Sequence, residues 1–411
     1  MFNTVEAAVT WVESQIKFRP KTSLDYIKNG LNLLDIDLSH MKKVHVTGTN
    51  GKGSVCMNIT SILVNQDIKV GTFTSPYLVK FNERIKLNGL DISDQDLLGE
   101  INHIYELNEK YALIYGFSLS FFELLTLVSL HYFSKQKVDV IIMEVGIGGL
   151  LDATNILNYD VSVITNIGMD HMKQLGNTLE SIALNKLGIV KENNTLFTTV
   201  DEALVPLFMK YCTNVHANFY WIDKKNIKTI SEIPHIIDYK NYIYKLSLLG
   251  QHQKSNAALA IEVVKYLYND IRDESISIGL SKTVHPGRLE TVLDGVIIDG
   301  AHNMHAIDSL IFSLQTTFKE YNINVLFSAL SDKEPLLMLK KLEPYVHSIT
   351  TTAFPDTRYE SLEFLPYKFE KNPKTALLNL IKEKSTKDLV LVTGSLHFIG
   401  YMKKEIIPAL K

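Results

Sequence analysis

A glycine-rich segment at residues 43–54 constrains the fold of this chain more than any other stretch. It reads Lys-Val-His-Val-Thr-Gly-Thr-Asn-Gly-Lys-Gly-Ser and lies between a short apolar run and a helical pattern. Its glycines let backbone N–H groups turn towards an anion, and the helix N-terminus adds a partial positive charge. Lys52 can reach the outer phosphates of a nucleotide, and Ser54 can offer a hydroxyl to Mg²⁺. The pattern predicts a strand, a phosphate-binding loop and a helix. Because Gly53 separates Lys52 from Ser54, an ordinary glycine turn is the alternative.

Length and composition indicate two domains without a strong charge bias. The chain has 411 residues, too many for one typical core, with 46% hydrophobic and 21% charged residues. A net charge of −3 gives no reason to expect a nucleic-acid partner. No apolar run approaches the ~20 residues of a membrane span, and the first residues show no signal-peptide pattern. We expect a monomeric cytoplasmic enzyme without membrane partners, with reduced, structural cysteines at Cys56 and Cys212.

The spacing of apolar residues predicts helices and strands along the whole chain. Helical patterns cover 1–40 (with Gly30 as an interruption), 54–66, 94–110, 120–136, 178–191, 251–268, 304–319, 334–343 and 374–384. Strand-like patterns cover 69–73, 138–144, 161–167, 291–298, 323–329, 347–353 and 388–393. Residues 214–249 contain short aromatic β-type segments, which we interpret as a small antiparallel appendage to the first sheet.

Strands that alternate with helices are typical of α/β domains with ligands at the carboxyl ends of the strands. The sequence therefore predicts a doubly wound, mainly parallel P-loop sheet with its antiparallel appendage at 1–282. A second, smaller, Rossmann-like α/β domain is predicted at 283–411.

Polar residues stand where predicted strands of the first domain end. Ser75 follows the second strand, Glu144 closes the third, and His171 follows the fourth. Because carboxyl ends of parallel strands share one edge of a sheet, these side chains are expected to gather beside the phosphate loop. A carboxylate, a hydroxyl and an imidazole beside a triphosphate suit Mg²⁺, although imidazole is the least expected donor. The alternative is that Glu144 caps a turn and His171 bonds a backbone carbonyl.

Lys186 lies on a helical segment among apolar residues. A solvated lysine whose aliphatic stem covers the surface is the plainer interpretation. A buried lysine with a depressed pKa, close to a bound metal, is the sharper one.

The second domain repeats the pattern of an apolar strand that ends in polar groups. Arg288 suits a phosphate or a salt bridge at a domain interface, and Asp299 suits a ribose hydroxyl or a catalytic lysine. His302 follows at a predicted helix start, and Ser395 follows the last strand of the chain.

The ordered set of motifs resembles the folylpolyglutamate synthase/dihydrofolate synthase family, a branch of the Mur ligase superfamily. Each block is weakly specific alone, and the ordered set is highly specific. The matching blocks are His45–Ser54, Thr74–Leu78, Phe81–Ile85, Phe121–Glu123, Glu144–Gly149, Leu151–Asn155, Asp170-His171, Leu175-Gly176, Lys186–Ile189, Gly250–Gln253, Asn256–Ala258, Gly287-Arg288, Asp299–Asn303, Asp332-Lys333 and Gly394-Ser395.

The resemblance implies an ATP-dependent amide ligase with a Mur ligase central-type domain and a Mur ligase-type C-terminal domain. In that family ATP phosphorylates a carboxylate of a folate compound, and the amine of L-glutamate attacks the acyl phosphate. Asn256 would bond the adenine, and Arg288 and Asp299 would contact phosphates and ribose. The loop residues implied to hold the phosphates are Gly48, Thr49, Asn50, Gly51, Lys52, Gly53 and Ser54.

The resemblance also implies a metal site, with Mg²⁺ as its ion and K⁺ as a further candidate cation. Lys186 would be carbamylated by CO₂, which turns a cation into a carboxylate-like ligand. The implied metal ligands are Ser75, Glu144, His171 and Lys186. The implied catalytic residues are Lys52, Glu144, His171 and Lys186.

The substrate side follows from the same resemblance. Phe122 and Asp152 would face the pterin, since an aromatic ring and a carboxylate suit a flat heterocycle with N–H donors. His302 and Ser395 would position glutamate. Leu150 stands where many relatives have arginine. We favour folate polyglutamylation, with dihydrofolate synthesis from dihydropteroate as a second activity. The alternatives are a Mur-type ligase for another carboxylate and a P-loop NTPase switch.

Overall fold

The computed structural model describes residues 1–17, 19 and 22–410, apart from the side chain of Asp332. Two compact units are present. The first comprises Met1–Ile227 and Asn256–Lys282, and the second comprises Lys228–Ser255 and the chain from Thr283 onward. The division into functional domains at 1–282 and 283–411 stays a prediction. Within the predicted helical region 1–40, Phe18, Pro20 and Lys21 lie outside the described residues.

One mainly parallel sheet organises the first unit. Its strands are β1 (Lys42–Thr47), β2 (Val70–Phe73), β3 (Ile85–Leu87), β4 (Leu90–Asp91), β5 (Val140–Glu144), β6 (Val161–Ile164), β7 (Thr195–Thr198) and β8 (Asn218–Trp221). Their spatial order is β4-β3-β2-β5-β1-β6-β7-β8. The pairs β2–β3 and β3–β4 are antiparallel, and the remaining neighbours run parallel. All five residues of β5 are buried, as expected for a strand covered on both faces.

Helices accompany this sheet in the first unit. They are α1 (Val5–Ser14), α2 (Asp25–Leu34), α3 (Lys52–Val64), α4 (Asp94–Tyr115), α5 (Phe121–Gln136), α6 (Met172–Leu175), α7 (Leu179–Leu187), α8 (Val205–Asn214), α9 (His252–Leu267) and α10 (Asp273–Lys282). Among the described residues, no helix is long and apolar enough to cross a membrane.

Gly30 does not interrupt a helix, contrary to the sequence prediction, because it lies inside α2. A Cβ at this position would lie 2.9 Å from Leu127 Cδ1 and 3.1 Å from Leu119 Cδ1. Glycine is therefore explained by close packing against α5 and the residues just before it.

The second unit contains two sheets. Its strands are β9 (Ile227–Ser231), β10 (His235–Tyr239), β11 (Tyr242–Leu246), β12 (Glu290–Leu293), β13 (Val296–Ile298), β14 (Asn322–Phe327), β15 (Ser348–Thr352), β16 (Lys368–Glu370) and β17 (Asp388–Thr393). One sheet has the order β11-β10-β9 and the other the order β12-β13-β17-β14-β15-β16. The helices are α11 (Met304–Thr316), α12 (Pro335–Leu342), α13 (Pro373–Glu383) and α14 (Leu396–Tyr401). The predicted class, a P-loop α/β sheet followed by a smaller α/β unit, is confirmed.

The antiparallel segment at 214–249 differs from its predicted position. β8 joins the first sheet in parallel with β7, whereas β10 and β11 pair antiparallel in a separate sheet. Side chains attach this small sheet to the second unit, since Thr317 donates to Glu232 over 2.8 Å. Alternating burial along β10 shows one covered face, which the sequence alone could not assign to a partner.

Two strands of the larger second-unit sheet also differ from prediction. The apolar run 291–298 is a hairpin rather than one strand, because Gly295 turns the chain with φ +66° between β12 and β13. The three-residue strand β16 was not predicted, since so short a segment has no readable period.

Gly279→Ala is expected to lower the free energy of unfolding by about 1–3 kcal/mol, because α10 packs too closely on α3 for a methyl group. A Cβ there would lie 2.5 Å from the Ile62 Cα. Gly99→Ala in α4 is the matched control, with no described atom within 4 Å of its Cβ. Alanine's better helix propensity should stabilise that variant by about 1 kcal/mol. Urea unfolding measures both, and equal effects would contradict this packing argument.

Candidate active site

Four neighbouring parallel strands of the first unit, in the order β2-β5-β1-β6, end at one edge of the sheet. Ser75 follows β2, Glu144 is the last residue of β5, the glycine loop follows β1, and the segment 165–171 follows β6. The sequence predicted that these strand ends lie side by side, and the sheet order confirms it. They form the candidate site of this unit.

The glycine loop requires glycine at two positions. Gly48 has φ +148° and Gly51 has φ +84°. A Cβ on Gly48 would collide with the Thr165 hydroxyl, and one on Gly51 would lie 2.6 Å from Asn256 Oδ1. Gly51 caps α3, which begins at Lys52. The structure therefore brings Asn256, the predicted adenine contact, against the loop predicted to hold the phosphates.

Hydrogen bonds from the segment after β6 fix the shape of this loop. The backbone N–H groups of Thr49 and Asn50 donate to the Asn166 carbonyl and to Asn166 Oδ1, each over 3.0 Å. Lys52 Nζ folds back over the loop and donates to the Gly48 carbonyl over 3.1 Å. These contacts with Asn166 hold the loop in shape, and Lys52 lies over its backbone carbonyls.

Glu144 and Ser75 are hydrogen-bonded neighbours at the ends of β5 and β2. The Ser75 N–H donates to Glu144 Oε2 over 3.1 Å, and Glu144 is only 5% exposed. Burial raises the pKa of the Cys56 thiol well above its usual value, and Glu144 raises it further while Lys52 opposes the shift. The Glu144 carboxylate and the Lys52 ammonium group therefore both influence the Cys56 thiol of α3.

Lys186 is buried, with 4% of its surface exposed, so the interpretation as a solvated lysine is wrong. Burial, helped by the charge of Lys52, lowers the pKa of Lys186 to about 7, and Asp170 and Asp152 oppose the shift. The charges of Lys52, Asp170 and Asp152 therefore all act on the Lys186 amine. A neutral amine in this environment is much less costly than an ammonium group.

His171 is the least enclosed of the predicted site residues. Its side chain is 38% exposed, and its backbone adopts φ +49° at the start of α6. Its backbone N–H donates to Asp170 Oδ1 over 2.8 Å, and the charge of Asp170 in turn raises the pKa of Lys186 against the effect of burial. His171 is therefore exposed and adjacent to Asp170, one of the two carboxylates whose charge acts on Lys186.

The side chains at these strand ends offer few ligands for Mg²⁺. Among the described residues, no group of three or more His, Cys, Asp or Glu side chains could hold a metal. Glu144 with the neighbouring Ser75 fits Mg²⁺, which takes few protein ligands and completes its shell with phosphate oxygens and water. An ammonium group has no lone pair to offer, so Lys186 fits only after its amine is modified.

Phe122 and Asp152, the predicted pterin contacts, meet at Gly146. A Cβ on Gly146 would lie 2.7 Å from Phe122 Cζ and 3.2 Å from Asp152 Oδ2. Asp152 Oδ2 accepts from the N–H groups of Gly146 and Ile147, each over 3.1 Å, and Oδ1 accepts from the Thr154 N–H over 3.0 Å. Asp152 thus braces the loop after β5, and direct contact with a pterin stays a prediction.

The second unit gathers its own predicted residues at the ends of β13 and β17, which are neighbours. Asp299 is buried and accepts from the N–H groups of Leu289 and Ala301 over 3.0 Å each. Burial raises the pKa of Asp299, and the charge of Arg288 opposes the shift. A Cβ on Gly300 would lie 2.6 Å from Arg288 Nη1.

His302 and Ser395 occupy the loops that follow these two strands. His302 Nδ1 lies 2.8 Å from the Gly300 carbonyl, and Ser395 Oγ accepts from the His397 N–H over 3.1 Å. Both residues therefore have local structural partners, and their roles towards glutamate stay predictions.

Arg84 is a candidate residue to which the sequence analysis gave no role. It is 8% exposed, its guanidinium carbon lies 4.9 Å from the centre of the Tyr77 ring, and its Nε has no hydrogen-bond partner among the described atoms. Burial lowers the pKa of Arg84 to about 10, while Tyr77, Glu13 and Glu144 act in the opposite direction. Because arginine is usually exposed at the surface, only the position of Arg84 in the block Phe81–Ile85 could have indicated a functional role.

The site combines a P-loop after β1, the buried Glu144 at the end of β5 and the buried Lys186 in the last turn of α7, and similarity to known proteins assigns the chain to the Mur ligase class of protein. Residues 100–264 match the family model for the Mur ligase middle domain. The Bacillus subtilis dihydrofolate synthase/folylpolyglutamate synthase is 34% identical over 433 aligned positions, covering 99% of this chain and 100% of the relative.

Solved structures give the same result. Escherichia coli FolC in complex with DHPP and ADP has a TM-score of 0.88 at 26% identity, covering 99% of this chain and 98% of that one. The Yersinia pestis bifunctional folylpolyglutamate synthase/dihydrofolate synthase, complexed with AMPPNP and a Mn ion, has a TM-score of 0.86 at 27% identity, covering 99% and 98%. The chain belongs to the dihydrofolate synthase/folylpolyglutamate synthase family.

Gly48→Ala is expected to weaken ATP binding at least roughly tenfold, because about 1.4 kcal/mol of loop distortion already has that effect. Its new methyl group would collide with the Thr165 hydroxyl that shapes the loop. Gly89→Ala, also at positive φ but with its nearest atom 3.9 Å away, is the control for backbone strain. Isothermal titration with ATP measures both variants, and equal affinities would show that the collision is harmless.

Proposed function

We propose that this chain adds L-glutamate both to dihydropteroate and to folates that already carry glutamate. As a member of its family, the chain is an ATP-dependent ligase that joins L-glutamate to a folate compound. The observation that carries the proposal of two acceptors is the full-length similarity to the Bacillus subtilis protein, whose name gives both activities. The P-loop and Glu144 at adjacent strand ends, together with the buried Lys186 on α7, support ligase chemistry at this site.

The reaction we propose has two steps. A carboxylate oxygen of the folate acceptor attacks the γ-phosphorus of ATP, the bond to the bridging oxygen breaks, and ADP leaves. The nitrogen of L-glutamate then attacks the acyl carbon and loses a proton as phosphate departs. The loop from Gly48 to Ser54 and the Lys52 ammonium group would bind the phosphates and stabilise the charge that develops during transfer.

The metal enters as a proposal on the residues that fit it. When bound, Mg²⁺ neutralises charge on the phosphate oxygens. Ser75, Glu144 and His171 would hold it, and K⁺ is a candidate for a further cation site. Arg288 and Asp299 keep their proposed roles towards phosphate and ribose.

Lys186 is proposed to act as a carbamate. Its neutral amine would attack CO₂, form an N–C bond and release a proton, giving a carboxylate-like group on a side chain that is otherwise cationic. The burial of Lys186 and the presence of a second cation, Lys52, among its electrostatic partners support the proposal, since both disfavour an ammonium group. The predictions of a monomer, of a cytoplasmic location and of no nucleic-acid or membrane partner stay open to test.

The main test measures ATP consumption with L-glutamate and either dihydropteroate or a reduced folate, with mass spectrometry of the amide product. We expect a new amide bond with each acceptor. Product from only one acceptor would overturn the proposal of two activities. ATP turnover that needs neither acceptor would instead favour an NTPase switch.

Lys186→Ala is expected to lower kcat by roughly 100-fold or more, the range typical of losing one electrostatic stabiliser, without loss of fold. A short-chain carboxylate such as acetate should restore part of the activity if a carbamate is the functional group. Lys173→Ala changes an exposed lysine and is the control. Steady-state kinetics measures these variants, and wild-type rates for Lys186→Ala would remove the residue from the mechanism.

A further inference from the structure

Three side chains of the first unit, His45, Thr154 and Asp152, form a continuous buried chain of hydrogen bonds. His45 Nε2 lies 2.7 Å from Thr154 Oγ1, and the Thr154 hydroxyl donates to Asp152 Oδ1 over 2.6 Å. Since the single hydroxyl hydrogen goes to Asp152, the Nε2–H of His45 must be the donor to Thr154. The direction of each bond in the chain is therefore fixed.

The imidazole at the start of this chain is held in one state and one orientation. His45 is fully buried, and burial, with the charge of Lys191, holds its pKa well below the usual value. Its ring stacks on Tyr159 at 4.1 Å between centroids, and the Tyr159 hydroxyl donates to the Thr154 carbonyl over 2.6 Å. A neutral ring packed in this way can orient the Thr154 hydroxyl.

Asp152, at the other end of these hydrogen bonds, holds the backbone of the loop 145–150. Asp152 accepts from Gly146, Ile147 and the Thr154 N–H, so with the Thr154 hydroxyl about four acceptor sites of the carboxylate are used. The loop 145–150 rests on α7, where the Leu150 N–H donates to the Asn185 carbonyl over 2.9 Å, next to Lys186.

The near end of the chain lies on the nucleotide side. His45 belongs to β1, which runs directly into the glycine loop. The glycine loop makes hydrogen bonds with Asn166, which accepts from the Thr49 and Asn50 N–H groups, and with Thr165, whose hydroxyl donates to the Asn50 carbonyl. Loss of the hydrogen bonds among His45, Thr154 and Asp152 should therefore disturb the loop 145–150 and leave ATP binding intact.

We propose that His45 and Thr154 are positioning residues that fix Asp152, and through it the loop 145–150, for binding of the folate acceptor. The proposal rests on the proposed function, because it assigns the loop to the acceptor. Phe122, which packs at Gly146 of this loop, gives the acceptor an aromatic surface. These three side chains thus connect β1 to the loop 145–150, beside the direct hydrogen bond from the Thr47 hydroxyl to the Gly148 carbonyl over 2.6 Å.

Thr154→Val tests the proposal, because it keeps the side-chain shape and removes both hydrogen bonds. The KM for dihydropteroate or a reduced folate should rise roughly tenfold, equivalent to about 1.4 kcal/mol, with the KM for ATP unchanged. Thr154→Ser restores the hydroxyl and should restore the acceptor KM. His45→Phe keeps a ring against Tyr159 but removes the N–H donor. It should raise the same KM, and it carries the test if Thr154→Val does not fold.

Thr198→Val is the matched control, since Thr198 is equally buried and its hydroxyl donates over 2.6 Å to the Ile164 carbonyl outside this chain. It should lose stability without a change in the acceptor KM. Wild-type acceptor KM values in both Thr154→Val and His45→Phe would overturn the proposal, as would equal rises in the KM for ATP. Failure of the wild-type protein to form an amide with any acceptor would instead contradict the proposed function.

Discussion

The parallel pairing of β1 with β5 and β6 is the interaction on which the candidate site depends. It brings the glycine loop between Glu144 on one side and the segment 165–171 on the other. Backbone N–H groups of these segments need hydrogen-bond acceptors once the segments leave the sheet. Asn166 accepts from Asn50 of the glycine loop, and Glu144 accepts from Ser75. A sheet with another strand order would scatter the same residues over separate loops.

Burial then gives these residues their chemistry. Lys186 and Glu144 lie in an interior where an unpaired charge is costly, and burial lowers the pKa of Lys186 to about 7. Lys186 meets both another cation and two carboxylates, an arrangement in which protonation is finely balanced. Asp152 is different, because backbone N–H groups and a hydroxyl occupy its oxygens and tie it to the architecture of its loop.

Much of the first-unit site could be predicted from the sequence, because parallel strands place their carboxyl ends at one edge of the sheet, whereas the strand order that makes these particular ends neighbours is seen only in the structure. The sequence could not show that Lys186 is buried, since a lysine among apolar residues is equally typical of a surface helix. It also gave no reason to separate β9–β11 from the first sheet, because an aromatic β-segment does not reveal its partner. Gly30 was misinterpreted for a related reason: the close approach of α5 leaves no trace in local sequence.

The way in which the chain passes between its two units has a consequence for dissecting the molecule. Lys228–Ser255 belongs to the second unit but is inserted between two stretches of the first. No single cut of the polypeptide can therefore release either unit as an unbroken chain. A fragment that stops at Lys282 would keep β9–β11 yet lack the Thr317 side chain that bonds to Glu232. Because the segments of the two units alternate along the chain, circular permutation would leave them interleaved, and genetic separation would need each unit's two segments to be joined directly to each other.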